Sequence, residues 1–91
     1  MTNVAAATGV RAVVEVLARA LTDRPDEVHV IESQHKSTTL LELYVAPTDL
    51  GKVIGRLGRT AAALRTLASI GGEREGKTVT LEIRDTPYRG S

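Results

Sequence analysis

The sequence predicts an α+β fold in which helices pack on one face of a three-stranded sheet, in the order α-β-β-α-α-β. Apolar residues recur at helical spacing in two stretches, and other stretches alternate between apolar and polar residues at the period of a strand. The length of 91 residues fits one small domain. Helices laid on one face of a sheet would bury all of these apolar positions in two layers.

The first helix is predicted to begin at Val10 and to end before Pro25. Its apolar side chains follow the spacing i, i+3, i+4, i+7, i+8 and i+11, which places them on one stripe. They are Val10, Val13, Val14, Leu17, Ala18 and Leu21. Thr8 is a candidate N-cap, and Pro25 disfavours helical geometry at the residue before it. Residues 1–8 are predicted to be a flexible leader.

Two strands joined by a polar loop are predicted next. Val28, Val30 and Ile31 indicate a short first strand, and Ser33 to Ser37 a hairpin loop. The second strand, Thr38 to Val45, has the clearest alternation. Its first face carries Thr39, Leu41, Leu43 and Val45, and its second face carries Leu40, Glu42 and Tyr44. Because Leu40 and Tyr44 are apolar, we expect the second face to be partly covered.

The rest of the chain predicts two helices and a last strand. Pro47-Thr48-Asp49 indicates the start of a short helix, and helical spacing resumes after Gly58 until Gly71-Gly72, where we expect the third helix to end. Alternation from Thr78 to Arg84 predicts the third strand. The domain therefore spans residues 9–85, and residues 86–91 are predicted to be a flexible tail.

Composition narrows the function. The chain has no cysteine, which excludes disulfides, cysteine-ligated zinc and a cysteine nucleophile and favours a reducing cytoplasm. Neither a signal peptide nor an apolar run of about 20 residues is present, so we expect a soluble protein without membrane contact. The net charge is only +1, but residues 51–66 carry four bases and no acid. Two tyrosines are the only aromatic residues, too few for an RNA-binding surface built from stacking rings.

The segment Gly55-Arg56-Leu57-Gly58 is the candidate functional centre. Its two glycines permit a tight turn and a close approach by another backbone. The amides that open the next helix, around Arg59 and Thr60, are expected to attract an anion. Lys52, Arg56 and Arg59 add positive charge, which makes the loop a candidate phosphate site. Val53, Ile54 and Leu57, with the strand residues Leu41 to Val45, are expected to form an apolar groove for bases.

The segment Val53-Ile54-Gly55-Arg56-Leu57-Gly58 resembles the V-I-G-x-x-G signature of KH domains. Pro25 to Val28 and Val45 to Gly55 are also similar to segments of the small bacterial single-KH proteins of the KhpA type. The similarity runs from about Val10 to Ile83. On these residues the chain is identified as a member of that family.

The resemblance implies a type II KH fold that binds single-stranded RNA. It implies an RNA chaperone-like or post-transcriptional regulator linked to cell elongation and division. The implied protein partners are a second copy of the chain or a larger multidomain KH protein of the Jag or KhpB type. The RNA contacts carried over are Lys52, Ile54, Gly55, Arg56, Leu57, Gly58 and Arg59. Leu57 departs from the family, which usually has a polar residue there, and this removes a phosphate contact.

The sequence gives little evidence for a metal site or for catalytic residues. His29 and His35 lack a third ligand nearby, and Ser69 has no histidine near it in sequence, so we expect no metal, no cofactor and no enzyme activity. Two alternatives to RNA binding stay open. Leu40, Tyr44 and Leu57 would suit a protein-interaction module that acts mainly by dimerisation. DNA or ribosome binding is the other, because clamping a backbone does not require a 2′-hydroxyl.

Overall fold

A computed structural model describes residues 9–90, in which three helices and three strands follow the order α-β-β-α-α-β. The elements are α1 (Val10–Leu21), β1 (His29–His35), β2 (Thr38–Tyr44), α2 (Leu50–Ile54), α3 (Arg59–Arg74) and β3 (Thr78–Ile83). Short 3₁₀ turns at Pro25–Glu27, Pro47–Asp49 and Arg56–Gly58 precede β1, α2 and α3. The predicted α+β class and element order are confirmed. The leader at residues 1–8, including the N-cap assigned to Thr8, lies outside the described residues.

The sheet has β2 at its centre, antiparallel to β1 and parallel to β3. Leu41 pairs with Glu32 on one side and with Leu81 on the other, and Leu43 pairs with Val30 and Ile83. Because side chains alternate across a strand, this register directs the apolar set of β2 toward the helices, as the sequence predicted. The buried core comprises Val10, Val14, Ala18, Val28, Val30, Leu41, Leu43, Val45, Val53, Leu64, Ala68, Val79 and Leu81.

Strand β1 is longer than the sequence predicted. Residues Ser33 to His35, expected in the hairpin loop, continue the strand, and the turn is only Lys36-Ser37, with Lys36 at φ 59°. Polar residues tolerate this position because β1 is an edge strand whose end is largely exposed. The Thr39 hydroxyl donates to Gln34 Oε1 at 3.0 Å across the two strands. Pairing with β2 therefore overrides the polar composition.

The third helix also passes the residues where we expected it to end. It continues through Gly71 and Gly72 to Arg74. Gly72 is buried, and a β-carbon there would lie 2.4 Å from Val79 Cγ2, so this glycine allows α3 to approach β3 closely. Gly76, at φ 73°, then accepts the backbone geometry that reverses the chain toward β3.

Tyr88 of the C-terminal tail packs on the outer face of the sheet, away from the helices. The ring of Tyr88 stacks on His29 with centroids 3.9 Å apart and meets the edge of Tyr44 at 5.4 Å. Beside them, Arg84 donates from Nε and Nη2 to Glu42 Oε2 at 2.9 and 2.7 Å. Tyr44 is thus partly covered, as expected. Flexibility of the tail stays a prediction.

Candidate functional site

The loop Gly55–Gly58 joins α2 to α3 through a tight turn built on three positive φ angles. These are 77° at Gly55, 56° at Leu57 and 73° at Gly58. The Gly55 amide donates to the Gly51 carbonyl at 2.9 Å, and the Gly58 amide donates to the Gly55 carbonyl at 3.0 Å. The Arg59 amide donates to the Arg56 carbonyl. The prediction of an open amide at Arg59 is therefore wrong, because the 3₁₀ turn of the loop uses it.

Gly55 is required by space as well as by backbone angle. A β-carbon there would lie 2.2 Å from Thr60 Oγ1 and 2.9 Å from the Thr60 amide nitrogen. Its angles, φ 77° and ψ 170°, belong to a region that is essentially restricted to glycine. Gly58 shares the positive φ, but a β-carbon at that position would meet no neighbouring group within 4 Å. The first glycine thus sets the packing of the loop on α3, and the second only its turn.

The cations around the loop divide into two kinds. Arg56 and Arg59 are exposed, and neither forms an ion pair within residues 9–90. Lys52 Nζ, in contrast, lies 3.1 Å from Asp23 Oδ2 and 3.6 Å from Asp49 Oδ1. The hydrogen bond and the charge of Asp23 raise the pKa of Lys52. The charge available to an anionic ligand therefore comes chiefly from the two arginines.

Asp49 connects the base of the loop to the linker after α1. Its side chain is buried, and its two oxygens accept hydrogen bonds from the amides of Asp23 at 3.2 Å and Arg24 at 3.0 Å. Burial alone would raise the pKa of Asp49, but these hydrogen bonds and the Lys52 charge outweigh it, so the pKa lies below its ordinary 3.8. The sequence suggested only that Asp49 favours the helix dipole. Its partners were missed because they are distant along the chain.

We expect Asp49 to make stability depend on pH in the acid range. Because folding lowers its pKa, its contribution is complete well above pH 3.8 and is lost as the pH falls below that value. In the variant Asp49→Asn this dependence should weaken, and Tm at pH 7 should fall by roughly 10 °C, since the amides of Asp23 and Arg24 lose a charged acceptor. Thermal melts of both proteins from pH 2.5 to pH 7 measure the effect. Parallel curves for the two proteins would contradict it.

The apolar residues beside the loop do not form the groove that the sequence predicted. Val53 is fully buried, and Leu41 and Leu43 also lie in the core, so none of them is open to a base. Ile54 is half-buried at the end of α2. Leu57 points away from the protein and is 84% exposed. The groove prediction is therefore wrong for Val53 and the β2 leucines, because α2 uses its apolar side to close the core.

The structure thus brings most of the candidate site residues together on one corner. Gly55 to Gly58 and Arg59 are consecutive there, Ile54 borders them, and Lys52 stands one turn earlier in α2. The arrangement offers an exposed turn with two arginines and an apolar tip. A turn of this kind suits contact with an extended polyanion.

Comparisons with known proteins find similar sequences in one family. The sequence model of the family described as KhpA/KhpB, KH domain, matches residues 11–83. The RNA-binding protein KhpA of Clostridium perfringens is 46% identical over 70 residues, which cover 77% of this chain and 93% of that protein. The RNA-binding protein KhpA of Aquifex aeolicus is 48% identical over 71 residues, which cover 78% of this chain and 90% of that protein. No solved structure gives a significant match.

Proposed function

This chain belongs to the KhpA/KhpB family of KH domains, and on that premise we propose that it binds single-stranded RNA by clamping the backbone at Gly55–Gly58. The observation that carries the proposal is the presence of Arg56 and Arg59, which form no ion pair within residues 9–90, at a turn held by glycines. KH loops of this kind clamp about four nucleotides. A single small site of this type binds weakly and with loose sequence preference.

The proposed role is that of an RNA chaperone-like or post-transcriptional regulator acting in the bacterial cytoplasm, where its RNA ligands are made. Relatives named as RNA-binding proteins support the ligand class. Within residues 9–90, no helix is both long and apolar enough to cross a membrane. The link to cell elongation and division stays a prediction from the family resemblance.

Salt dependence tests the clamp directly. Three phosphate contacts would give a slope of log K against log salt of about −2, and two would give about −1.4. Because Lys52 is held by two carboxylates, we expect a slope near the smaller magnitude for wild-type protein. Fluorescence anisotropy of a labelled 12-nucleotide uridine RNA from 50 to 300 mM salt measures it. A slope near zero would contradict backbone clamping.

The same titration with DNA addresses the main alternative ligand. A deoxyuridine 12-mer differs from the RNA only in the sugar, so equal affinities would indicate that this loop does not select RNA. We expect tighter binding to RNA. Tighter binding to DNA than to RNA would favour the DNA hypothesis over the RNA proposal.

We also propose that the chain associates, either with itself or with a larger multidomain KH protein of the KhpB type. The sequence suggested Leu40 and Tyr44 as interface residues, but several exposed large apolar side chains lie on the helices. Val13 of α1 and Leu67 of α3 are 39% and 49% exposed and line a groove of about 480 Å³ between the two helices. Linking two weak RNA sites in a dimer would raise the overall affinity.

Leu67→Glu is expected to weaken the dimer by at least tenfold, because it places a charge in an apolar contact. Sedimentation or light scattering over a range of protein concentrations measures the dissociation constant. Val16→Glu is the matched control, since Val16 is 64% exposed on α1 and does not line the groove. Equal effects of both substitutions, or none from Leu67→Glu, would place the interface elsewhere.

A further inference from the structure

Leu57 is unusual in two independent respects. At 84% exposure it is the most exposed large apolar side chain among residues 9–90, well beyond Val16 at 64%. It also adopts the left-handed conformation, φ 56° and ψ 25°. For a residue with a bulky side chain this conformation is strained, because the β-carbon crowds the following carbonyl oxygen.

The fold does not require a leucine at this position. Its side chain is directed away from the core, and none of the core contacts involves it. Asparagine or glycine would satisfy the same backbone angles with less strain and without exposing apolar surface. A strained and exposed apolar group within a binding loop therefore points to a contact made with a ligand.

The neighbouring charges indicate the kind of ligand. Arg56 precedes Leu57 directly, Arg59 follows two residues later, and neither has a carboxylate partner within the described chain. An apolar pocket of a protein would have to bury Leu57 beside two uncompensated cations, which is costly. A nucleic-acid strand offers phosphates for both arginines and apolar base or sugar surface between the phosphates. The charges favour the nucleic acid.

We propose that Leu57 packs on the apolar surface of one nucleoside of the bound RNA, while Arg56 and Arg59 hold phosphates of the same strand. This inference rests on the proposed RNA-binding function and assigns a second kind of contact to the same loop. It reverses the expectation that Leu57 only removes a phosphate contact. Part of the affinity is then apolar and persists at salt concentrations that screen the arginines.

The test compares Leu57→Asn with wild-type protein. Asparagine tolerates the left-handed conformation, so Tm should stay equal or rise, which separates a lost contact from a damaged fold. Affinity for the uridine 12-mer should fall about fivefold to tenfold, as expected for losing much of one leucine burial. The slope of log K against log salt should not change, because no charge is altered. Val16→Asn, an equivalent exposed substitution on α1, should bind as wild type does.

A second variant tests the contact from the opposite direction. Leu57→Lys adds a cation, and if the loop only held phosphates it would bind more tightly than wild type at every salt concentration. We expect instead a steeper slope and weaker binding than wild type at 300 mM salt, where the apolar contact dominates. An RNA with abasic sites then distinguishes the sources. If wild type and Leu57→Asn bind the abasic RNA with equal affinity, Leu57 contacts a base. If wild type still binds it more tightly, Leu57 contacts the ribose.

The outcomes separate this inference from the proposal on which it rests. If wild-type protein does not bind RNA, both are wrong. If it binds and Leu57→Asn binds equally well, only the role of Leu57 is wrong. If Leu57→Asn leaves RNA affinity unchanged but shifts the mass measured by light scattering, Leu57 belongs to a protein interface, and the inference is overturned.

Discussion

Gly55→Ala is expected to lower the free energy of unfolding by about 3 kcal/mol or more, whereas Gly58→Ala should lower it by about 1 kcal/mol. Both glycines have positive φ, but Gly58 is in the left-handed region that other residues can adopt, whereas the angles of Gly55, φ 77° and ψ 170°, are essentially restricted to glycine, so alanine strains the backbone more at position 55. Only at Gly55 would the new methyl group also meet Thr60, at 2.2 Å from its hydroxyl oxygen. The difference between the two variants therefore combines the extra backbone strain at position 55 with the close approach of the loop to α3.

Urea unfolding of both variants provides these free energies. The double variant Gly55→Ala/Thr60→Ala removes the Thr60 hydroxyl at the contact but keeps the Cβ and the amide nitrogen of residue 60, which would lie 2.6 and 2.9 Å from the β-carbon of Ala at position 55. We expect it to recover part of the loss and not all of it. Equal losses for the two single variants would contradict both the extra backbone strain at Gly55 and the contact with Thr60.

Replacing both variable residues of the loop, Arg56→Asp with Leu57→Asp, is expected to leave a folded domain that binds RNA at least about a hundredfold more weakly. Losing a hydrogen bond to a charged group costs about 1.5–3 kcal/mol, and each new carboxylate near a phosphate adds about 1 kcal/mol of repulsion in water. Aspartate tolerates the left-handed angles of Leu57. Circular dichroism and anisotropy titrations measure folding and binding.

The β1–β2 turn offers a control with the same change in charge. Lys36→Asp with Ser37→Asp also replaces one cation by two anions, and Lys36 likewise has a positive φ, 59°. This turn precedes the first residue of β2, whereas the candidate loop lies beyond the last residue of that strand and after α2. We expect the control to bind RNA within about threefold of wild type, as screening over a Debye length of about 10 Å predicts. Stronger loss in the control than in the loop variant would move the site to the hairpin.

Local sequence patterns were sufficient to predict the helices and strands that have a strong apolar periodicity. The stripe of α1 and the alternation of β2 each identify a buried face, because helical and strand periods differ clearly in those stretches. They were insufficient for β1, whose second half is polar and is held by pairing with β2. They also misplaced the end of α3. Gly72 does not end the helix; because it has no side chain, α3 can lie close to Val79.

The candidate loop could likewise be located from its residues, but its electrostatics could not. The sequence shows three cations near two glycines and treats them alike. Asp23 lies on the linker after α1, and only the folded chain brings it within 3.1 Å of Lys52. The same folding buries Val53, which the sequence could not distinguish from the exposed Leu57. Long-range contacts therefore decide which of the predicted groups face a ligand.

The parallel pairing of β2 with β3 makes the sheet depend on a long crossover connection. A parallel pair cannot be closed by a short hairpin, and here the connection that crosses over contains α2, the loop and α3. The β1–β2 hairpin is local and can form early, whereas β3 joins only after its crossover has folded back. We therefore expect a chain emerging from the ribosome to complete its sheet, and with it the surface on which α3 packs, only when the last strand is available.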